Sequence, residues 1–435
     1  MQGQIEIFAL FLYRIQAVIS HRYILFCGGI NYKHSRSSTI MQVTEQFRDF
    51  IRKHQKDDLN KLLLSANRYP DIDIPFAVEQ LASRRQIKDK LPSWYENEAL
   101  LFPAKIAAEQ CSSELTGLYK QHLVGEHERV CDLTGGLGVD SYFISRKARE
   151  VLYLERFERY CETARHNFGV LQADNIRVLN TDAVEYLEQI EQVDLFYIDP
   201  ARRGEGDKRV YALEDCEPDL IRLAPILLQK APRIIAKISP MADIQHTLQL
   251  LPQTTGVHVV SVKNECKELL FILERTTVLV DPLITCVNLT SESTESFSFT
   301  LADERDTAAG MAAGIGRYLY EPNASLLKAG AFKCVADRMG VAKLQVSSHL
   351  YTSDNLVELF PGRKFAVQEV YPFTGKLAKE LHKSVPKANI TVRNFPLSVQ
   401  ELRKRTKIAE GGDVYIFATT NANGDKLLVR CSKLA

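Results

Sequence analysis

The sequence lacks a long apolar run, a paired cysteine motif and a net charge of either sign, and each absence excludes a class of protein. The 55 Lys and Arg residues nearly balance the 54 Asp and Glu residues, so general affinity for polyanions is not expected of this 435-residue chain. Its nine cysteines form no C-x-x-C pair, which argues against a disulfide framework and a zinc site. No stretch of roughly 18–20 apolar residues is present to span a membrane. We therefore expect a cytoplasmic protein without a metal, whose nucleic-acid contacts, if it makes any, use a local basic patch.

Residues 1–40 differ from the rest of the chain. The apolar run at 5–13 is about as long as the core of a signal peptide, but Arg14 and further basic residues interrupt the segment after it, and no clean small-residue cleavage site is present. We expect residues 1–40 to be a non-native or disordered upstream extension, with the protein beginning at Met41. The alternative is a weak anchor at a membrane surface.

Residues 41–125 have the pattern of a helical domain, because apolar residues recur there at three- and four-residue spacing. One continuous helix is predicted over 104–120, with small and polar side chains along one side. These side chains have two interpretations: close packing on a neighbouring helix, or a roof over a downstream cofactor pocket. The second assigns Gln110, Ser112 and Ser113 to that pocket.

Residues 126–275 alternate between strand and helix patterns. Buried strands are predicted at 130–134, 151–155, 176–180, 194–198 and 234–237, with closing strands at 257–263 and 268–273. This alternation indicates crossover connections and a doubly wound, parallel α/β sheet. In such sheets ligands bind at the carboxyl ends of the strands, near the switch point. Four acidic residues fall at these ends: Asp132, Glu155, Asp182 and Asp199.

A glycine-rich turn comes after the first of these strands. A dinucleotide fingerprint reads G-x-G-x-x-G, but position 141, where the third glycine belongs, is Ser141. The order Asp-x-x-Gly-Gly-x-Gly instead resembles motif I of the class I S-adenosylmethionine (SAM) methyltransferases, and the alternative is an ordinary strand–helix turn. The predicted cofactor loop contains Asp132, Thr134, Gly135, Gly136 and Gly138.

Two further acids strengthen this interpretation. Glu155 lies about 20 residues past Asp132, where a carboxylate can accept two hydrogen bonds from a ribose diol. Asp182 can bond an adenine amino group, cap the following helix, or do both. Together the acids and the glycine loop predict SAM, with NAD as the second candidate. Lys237 either reaches the same cleft or lies at its rim with a buried stem.

The segment after the fourth strand predicts the reaction. The run at 199–203 resembles the Asp/Asn-Pro-Pro-aromatic motif of methyltransferases that modify exocyclic amino groups. There the Asp199 carboxylate and the Pro200 carbonyl can hold the two amine N–H groups and aim the lone pair at the methyl group. Ala201 and Arg202 depart from the motif, although a guanidinium can also stack on a base or pair with phosphate. The alternative is a strand-end turn with solvated arginines.

From Met41 onward the chain resembles the bacterial class I SAM methyltransferases with a THUMP-like C-terminal domain, common in Bacteroidetes. The resemblance rests on the runs at 103–113, 132–140, 199–203 and 318–324. The core, including 166–168, is similar to trimethylguanosine synthase and to the guanine-N2 methyltransferases of ribosomal RNA. The resemblance implies a SAM-dependent enzyme that acts on RNA.

The C-terminal part changes to an α+β pattern, which the resemblance assigns to a small ferredoxin-like element at 276–316 and a THUMP-like domain at 317–435. The basic side chains that cluster here form either a solvated face or a surface that contacts RNA. They are Lys376, Lys379, Lys383, Lys387, Arg393, Arg403, Lys404, Arg405 and Lys407.

The sequence thus predicts an α/β protein with a Rossmann-like methyltransferase core, an N-terminal helical domain and a C-terminal α+β domain. The expected activity is SAM-dependent methylation of an exocyclic amino group in tRNA or rRNA, with N2 of guanine favoured. The alternatives are methylation of a protein or small molecule, and a non-catalytic RNA-binding module.

Overall fold

Within the described residues, six α-helices precede the first strand. The computed structural model describes residues 44–202, 213–275 and 281–434, so the predictions for 1–40 lie outside the described residues. The helices are α1 (Glu45–Lys53), α2 (Leu59–Leu64), α3 (Ile74–Ile87), α4 (Pro92–Glu96), α5 (Lys105–Gln110) and α6 (Glu114–His122). Among the described residues, no helix has both the length and the apolar character needed to cross a membrane.

The prediction of one continuous helix over 104–120 is wrong, because a turn separates α5 from α6. Cys111 has extended backbone angles (φ −61°, ψ 161°), which end α5. Ser113 then caps α6, since its hydroxyl accepts the Thr116 N–H at 3.2 Å. Short polar side chains compete in this way with the helical hydrogen bonds of the backbone. As a result Ser112 lies in the turn, and the structure buries it.

The central part alternates strands and helices, as predicted. Its elements are β1 (Arg129–Asp132), α7 (Val139–Ser145), β2 (Glu150–Glu155), α8 (Glu158–Val170), β3 (Ile176–Asn180), α9 (Ala183–Tyr186), β4 (Leu195–Ile198), β5 (Ala201–Arg202), β6 (Cys216–Glu217), α10 (Leu220–Lys230), β7 (Arg233–Ile238), α11 (Ile244–Leu250), β8 (Thr254–Val262), β9 (Glu265–Glu274), β10 (Leu283–Leu289) and β11 (Thr294–Phe299). All four residues of β4 are buried, as expected for a strand covered on both faces.

Nine of these strands form one sheet in the order β11-β10-β8-β9-β7-β4-β1-β2-β3. The five strands from β3 to β7 run parallel, whereas β9 is antiparallel to both of its neighbours. The chain leaves β1 toward β2 and β3 and returns to β4 on the other side of β1. The carboxyl ends of β1 and β4 therefore flank the switch point, where a doubly wound sheet binds its ligand.

β10 and β11 lie within 276–316, where the sequence pattern predicts a separate small element. The structure instead adds both strands to the nine-stranded sheet. β10 runs parallel to β8 over seven paired positions, and β11 closes the edge by antiparallel pairing with β10. Most residues of β10 are buried, so the strand gains more apolar contact within this sheet than an isolated hairpin could supply.

Two buried amide side chains fix the N-terminal segment to the core. Gln80 on α3 donates to the carbonyl of Phe102 at 2.8 Å and accepts its N–H at 2.9 Å. Asn167 on α8 pairs in the same way with Leu101, at 2.8 Å and 2.9 Å. Each amide satisfies a buried backbone donor and acceptor, which would be costly to leave unpaired. The segment before α5 is thereby held between α3 and α8.

The C-terminal part forms a second sheet with helices. Its elements are α12 (Leu301–Asp306), β12 (Tyr318–Pro322), α13 (Ala324–Ala329), α14 (Phe332–Met339), β13 (Ala342–Lys343), β14 (Tyr351–Ser353), β15 (Gly362–Pro372), α15 (Gly375–Ser384), β16 (Lys387–Arg393), α16 (Val399–Thr406), β17 (Ala409–Thr420) and β18 (Lys426–Lys433). The seven strands are ordered β13-β14-β12-β15-β18-β17-β16. Within this sheet the carboxylate of Glu321, only 2% exposed, pairs with both Arg363 and Arg393. The predicted fold class is confirmed: an α/β sheet with N-terminal helices and a C-terminal α+β domain.

Candidate active site

A cavity of about 270 Å³ opens at the carboxyl ends of β1, β2, β3 and β4. The predicted site residues that line it are Gln110, Ser112, Asp132, Thr134, Gly135, Gly136, Gly138, Glu155, Asp182 and Asp199, whereas Ser113 is not among its lining residues. Pro200 and Arg202 come directly after Asp199 and are not among its lining residues, and the side chain of Arg202 lies outside the described part of the structure. Topology therefore brings together residues that are spread over 90 positions of the sequence, from Gln110 to Asp199.

The glycines of the loop between β1 and α7 meet different constraints. Gly136 and Gly138 have φ angles of +57° and +84°, in the left-handed region that favours glycine. Gly135 does not, but a Cβ atom there would lie 2.3 Å from the buried ring of Tyr153. The Tyr153 hydroxyl in turn donates to the carbonyl of Gly136 at 2.6 Å. The loop therefore rests on Tyr153 and presents its backbone to the cavity.

Asp132 fixes the conformation of this loop through hydrogen bonds of its carboxylate. Its Oδ1 accepts the N–H of Thr134 at 2.9 Å, and its Oδ2 accepts the hydroxyl of Ser141 at 2.5 Å. The side chain is buried, and burial raises the pKa of its carboxyl to about 7. Ser141 occupies the position where a dinucleotide fingerprint has its third glycine, and its hydroxyl has a use here that glycine could not supply.

Glu155 and Asp182 keep acceptor capacity on the cavity side. Glu155 accepts the N–H of Gly136 at 3.0 Å through Oε2 and the N–H of Phe157 at 2.9 Å through Oε1. Asp182 caps α9 through Oδ1, which accepts the Val184 N–H at 2.8 Å. An ionised carboxylate offers about four lone-pair sites, so each acid can accept further hydrogen bonds from a bound ligand.

Asp199 is linked to both sides of the site. Its backbone N–H donates to the Thr134 hydroxyl at 2.7 Å, which connects the end of β4 to the glycine loop. Its carboxylate Oδ2 lies 2.5 Å from the Nζ atom of Lys237 on β7, and its side chain is 37% exposed. Lys237 is only 13% exposed, so it reaches into the cleft instead of extending from the rim. Sequence reasoning left these two positions for Lys237 open.

A buried charge network continues inward from Lys237. Asp140 at the start of α7 lies 3.6 Å from Lys237 and 3.0 Å from the Nζ atom of Lys120, which is 1% exposed. Lys120 also donates to both carboxylate oxygens of Glu268 at 2.8 Å. The Tyr197 hydroxyl donates to Asp140 at 2.7 Å. The network thus joins α6, α7, β4, β7 and β9.

Burial and pairing act against each other in this network. Burial alone would raise the pKa of the Asp140 carboxyl, but Lys120 and Lys237 hold it well below its usual range. Burial would lower the pKa of Lys237, but Asp199 and Asp140 raise it above the ordinary lysine value. Burial raises the pKa of Glu268. We therefore expect Asp140 to stay ionised and Lys237 to stay protonated at neutral pH.

Sequence reasoning missed the inner members of this network. Lys120 and Glu268 lie 148 residues apart, so no motif spacing relates them. The only signals in the sequence were a lysine at the end of the helix predicted over 104–120 and an acid at the start of the strand predicted over 268–273. Among the described residues, no group of three or more His, Cys, Asp or Glu side chains is placed to hold a metal ion.

Family models match the C-terminal part of the chain. A ferredoxin-like domain matches residues 318–361, and a THUMP domain-like model matches residues 362–433. The resemblance assigns the ferredoxin-like element to 276–316, whereas the family model matches it further along the chain. The two matches meet at Gly362, where β15 begins.

One solved structure is similar over nearly the whole chain. It is that of a proposed methyltransferase of Porphyromonas gingivalis W83, with 39% sequence identity and a TM-score of 0.82. The match covers 90% of this chain and 98% of that one. A proposed methyltransferase of Streptococcus mutans, solved in complex with S-adenosylhomocysteine, matches 37% of this chain at 14% identity and a TM-score of 0.29.

A curated relative matches a shorter part of the chain. It is an uncharacterised RNA methyltransferase of Mycoplasma mobile, 33% identical over 99 residues. The match spans 22% of this chain and 27% of that protein, so this chain covers about a quarter of its relative's length.

Proposed function

We propose that this chain, which belongs to the methyltransferase family of the P. gingivalis protein, transfers a methyl group from SAM to an RNA nucleotide. Its own C-terminal part matches ferredoxin-like and THUMP-like domain models. One observation carries the proposal. Asp199 lies partly exposed on the wall of the cavity that the glycine loop borders, and Thr134 connects the two by a hydrogen bond. A group held by Asp199 is therefore next to a cofactor held by the loop.

The cavity residues fit SAM. The open backbone at Gly136 allows close approach of a ligand, and Glu155 has remaining lone pairs for a ribose diol. Asp182 retains an oxygen for an adenine amino group in addition to its capping bond, and the exposed Gln110 side chain lines the same cavity. When bound, SAM supplies a sulfonium methyl group that a nucleophile can take by in-line displacement.

For the acceptor we propose an exocyclic amino group, with N2 of guanine favoured. Such an amine is a weak nucleophile because its lone pair is delocalised into the ring. Oδ1 of Asp199 and the carbonyl of Pro200 are two acceptors on adjacent residues, and together they can orient the two N–H groups. The lone pair then faces the methyl group at a near-attack distance of about 3–3.5 Å. Arg202 would stack on the base or pair with a neighbouring phosphate.

A second acceptor is supported by the ion pair between Lys237 and Asp199. An ammonium at 2.5 Å from Asp199 favours an acceptor that develops negative charge and disfavours one that becomes cationic. A ribose hydroxyl has that property when a base, here Oδ1 of Asp199, takes its proton while the oxygen attacks the methyl group. Analysis of the methylated nucleosides separates the two acceptors, because a base-methylated nucleoside and a 2′-O-methylated nucleoside differ in where the added mass resides.

RNA as the substrate is supported by the surface of the C-terminal domain. Exposed basic side chains lie on α15 and at the end of α16: Lys376, Lys379, Lys383, Lys404 and Arg405. Within the described residues, none of these five side chains forms an ion pair. Cations grouped in this way bind phosphates by releasing counterions, so the affinity falls with salt. They give this surface a local positive charge, although the net charge of the whole chain is only +1.

The basic surface can be tested by charge reversal. Replacing Lys376, Lys379 and Lys383 together by Glu should lower the slope of log affinity for RNA against log salt by about 2, since each phosphate contact contributes roughly 0.7. A triple reversal of exposed lysines in the N-terminal helical region, at positions 53, 56 and 61, is the matched control. An equal change of slope in both variants would remove the assignment of this surface.

The activity is tested with labelled SAM and total RNA from a strain that lacks the protein. We expect label in an RNase-sensitive species, and no transfer by Asp199→Ala although that variant still binds SAM. Asp174→Ala is the matched control, because Asp174 is exposed at the amino end of β3, away from the cavity. Label in protein alone would support the alternative substrate class, and SAM binding with unchanged turnover by Asp199→Ala would refute the role of Asp199.

A further inference from the structure

Lys237 is held at three points by three different parts of the fold. Its Nζ atom lies 2.5 Å from Oδ2 of Asp199, after β4, and 3.6 Å from Oδ2 of Asp140, on α7. It also donates to the hydroxyl of Ser112 at 3.2 Å, in the turn between α5 and α6. Asp199 and Ser112 lie within hydrogen-bond distance of the ammonium, and Asp140 attracts it as an ion pair at longer range.

Ser112 is held in turn. Its hydroxyl donates to Asp140 at 2.8 Å and lies 3.0 Å from the Nζ atom of Lys120, which donates to it. Ser112 thus contacts both lysines of the network and its central carboxylate. It can occupy this position only because the chain breaks between α5 and α6, where a continuous helix would keep the backbone in helical hydrogen bonds.

We propose that Lys237 is a positioning residue for Asp199, and that the N-terminal helices fix Lys237 through Ser112. Lys237 occupies Oδ2 of Asp199 and leaves Oδ1 for the acceptor. The backbone N–H of Asp199 is fixed by Thr134, so both ends of this residue are anchored. This inference rests on the proposed function, in which Asp199 contacts the acceptor.

The consequence is that the N-terminal helices belong to the acceptor site. A shift of about 1 Å in a group that orients a reactant can cost roughly 100-fold in rate. Without Lys237, the Asp199 side chain can turn toward solvent, because it is already 37% exposed. The acceptor would then bind with a similar KM but in a less productive orientation.

The test compares Lys237→Met, Lys237→Arg, Ser112→Ala and the double variant Lys237→Met with Ser112→Ala, all in the full chain. Lys230→Met is the matched control, since Lys230 donates to the carbonyl of Ile190 away from the cavity. Melting temperature and SAM affinity are measured for each variant, together with kcat and KM for RNA.

We expect Lys237→Met to lower kcat about 100-fold, with SAM affinity and the KM for RNA within about threefold of the parent protein. Lys237→Arg should recover part of the loss, and Ser112→Ala should lower kcat about tenfold. The double variant should be no slower than Lys237→Met, because Ser112 acts through Lys237. The control should behave as the parent protein does.

Three results would overturn the inference. They are an unchanged kcat in Lys237→Met, a loss of SAM binding in parallel with kcat, and strictly multiplicative effects in the double variant. The failure of the proposed function is recognised separately, because the parent protein would then transfer no label to RNA, and a fully active Asp199→Ala would refute the role of Asp199. An inactive Asp199→Ala beside a fully active Lys237→Met defeats only the role of Lys237.

Discussion

Two neighbouring glycines offer a sharp test of the cofactor loop, because they are constrained for different reasons. In Gly135→Ala the new Cβ atom would lie 2.3 Å from Cε2 and Cζ of Tyr153, a fully buried ring. In Gly136→Ala the new Cβ atom would lie 3.7 Å from the carbonyl oxygen of Thr134, an ordinary contact, but φ is +57°. The first change overpacks the core beneath the loop, and the second strains the backbone above it.

The expected costs depend on these two constraints. Overpacking costs typically about 1–3 kcal/mol, and displacing Tyr153 also weakens the bond from its hydroxyl to the Gly136 carbonyl by about 1 kcal/mol. Gly135→Ala should therefore lower the free energy of unfolding by about 2–4 kcal/mol. Gly136→Ala should cost only about 1–2 kcal/mol, the usual penalty of a left-handed conformation for a residue with a Cβ atom.

Urea unfolding monitored by circular dichroism measures the free energy of unfolding, and calorimetric titration measures the affinity for SAM. We expect Gly136→Ala, which changes a cavity-lining residue, to lose SAM affinity more than its small loss of stability explains. In a Tyr153→Leu background, which removes the distal ring atoms, Gly135→Ala should cost less than about 1 kcal/mol. Equal losses of stability in the two alanine variants, or an undiminished cost of Gly135→Ala in the Tyr153→Leu background, would refute this reasoning.

Three further predictions concern the acids and amides of the described residues. Burial raises the pKa of the Asp132 carboxyl from 3.8 to about 7, so the folded state keeps a proton that the unfolded state releases. The stability that this proton gives is complete below about pH 4 and is lost as the pH rises to about 7. Asp132→Asn should remove that loss of about 4 kcal/mol, which unfolding curves from about pH 4 to 8 measure. Glu321→Ala leaves two arginines without their shared carboxylate and should cost about 3 kcal/mol in urea unfolding, with a smaller cost for Glu321→Gln. Asn167→Ala leaves a buried N–H and C=O of residue 101 unpaired, and a loss of about 2–4 kcal/mol is expected, whereas a change below about 0.5 kcal/mol would contradict the pairing.

The sequence was sufficient for the fold of the core because its periodicity is strong. Short buried strands alternate with amphipathic helices, and this pattern leaves few topologies open. The acids at strand ends then had to meet at one edge of the sheet, since parallel strands share their carboxyl edge. Asp132, Glu155 and Asp199 line one cavity for that reason. Their roles toward SAM and the acceptor stay predictions.

The remaining features depended on contacts that no local pattern encodes. The break at Ser112 arises because Ser113 caps a new helix, although the composition of 104–120 is equally suited to a single one. The ion pairs of Lys237 with Asp199 and of Lys120 with Glu268 join segments far apart in the chain. Only the sheet order decides which charged residues meet in the interior.

The ion pair between Lys120 and Glu268 also bears on the order in which the protein is made. The N-terminal helices and the glycine loop leave the ribosome long before β9, which contributes its carboxylate 148 residues later. Until then the buried ammonium lacks one of its two carboxylate partners, Asp140 being the other. A nascent chain that stops before residue 268 is therefore expected to lack the ion pair between Lys120 and Glu268. The charge network beneath the candidate active site is then completed late in folding, by a long-range contact.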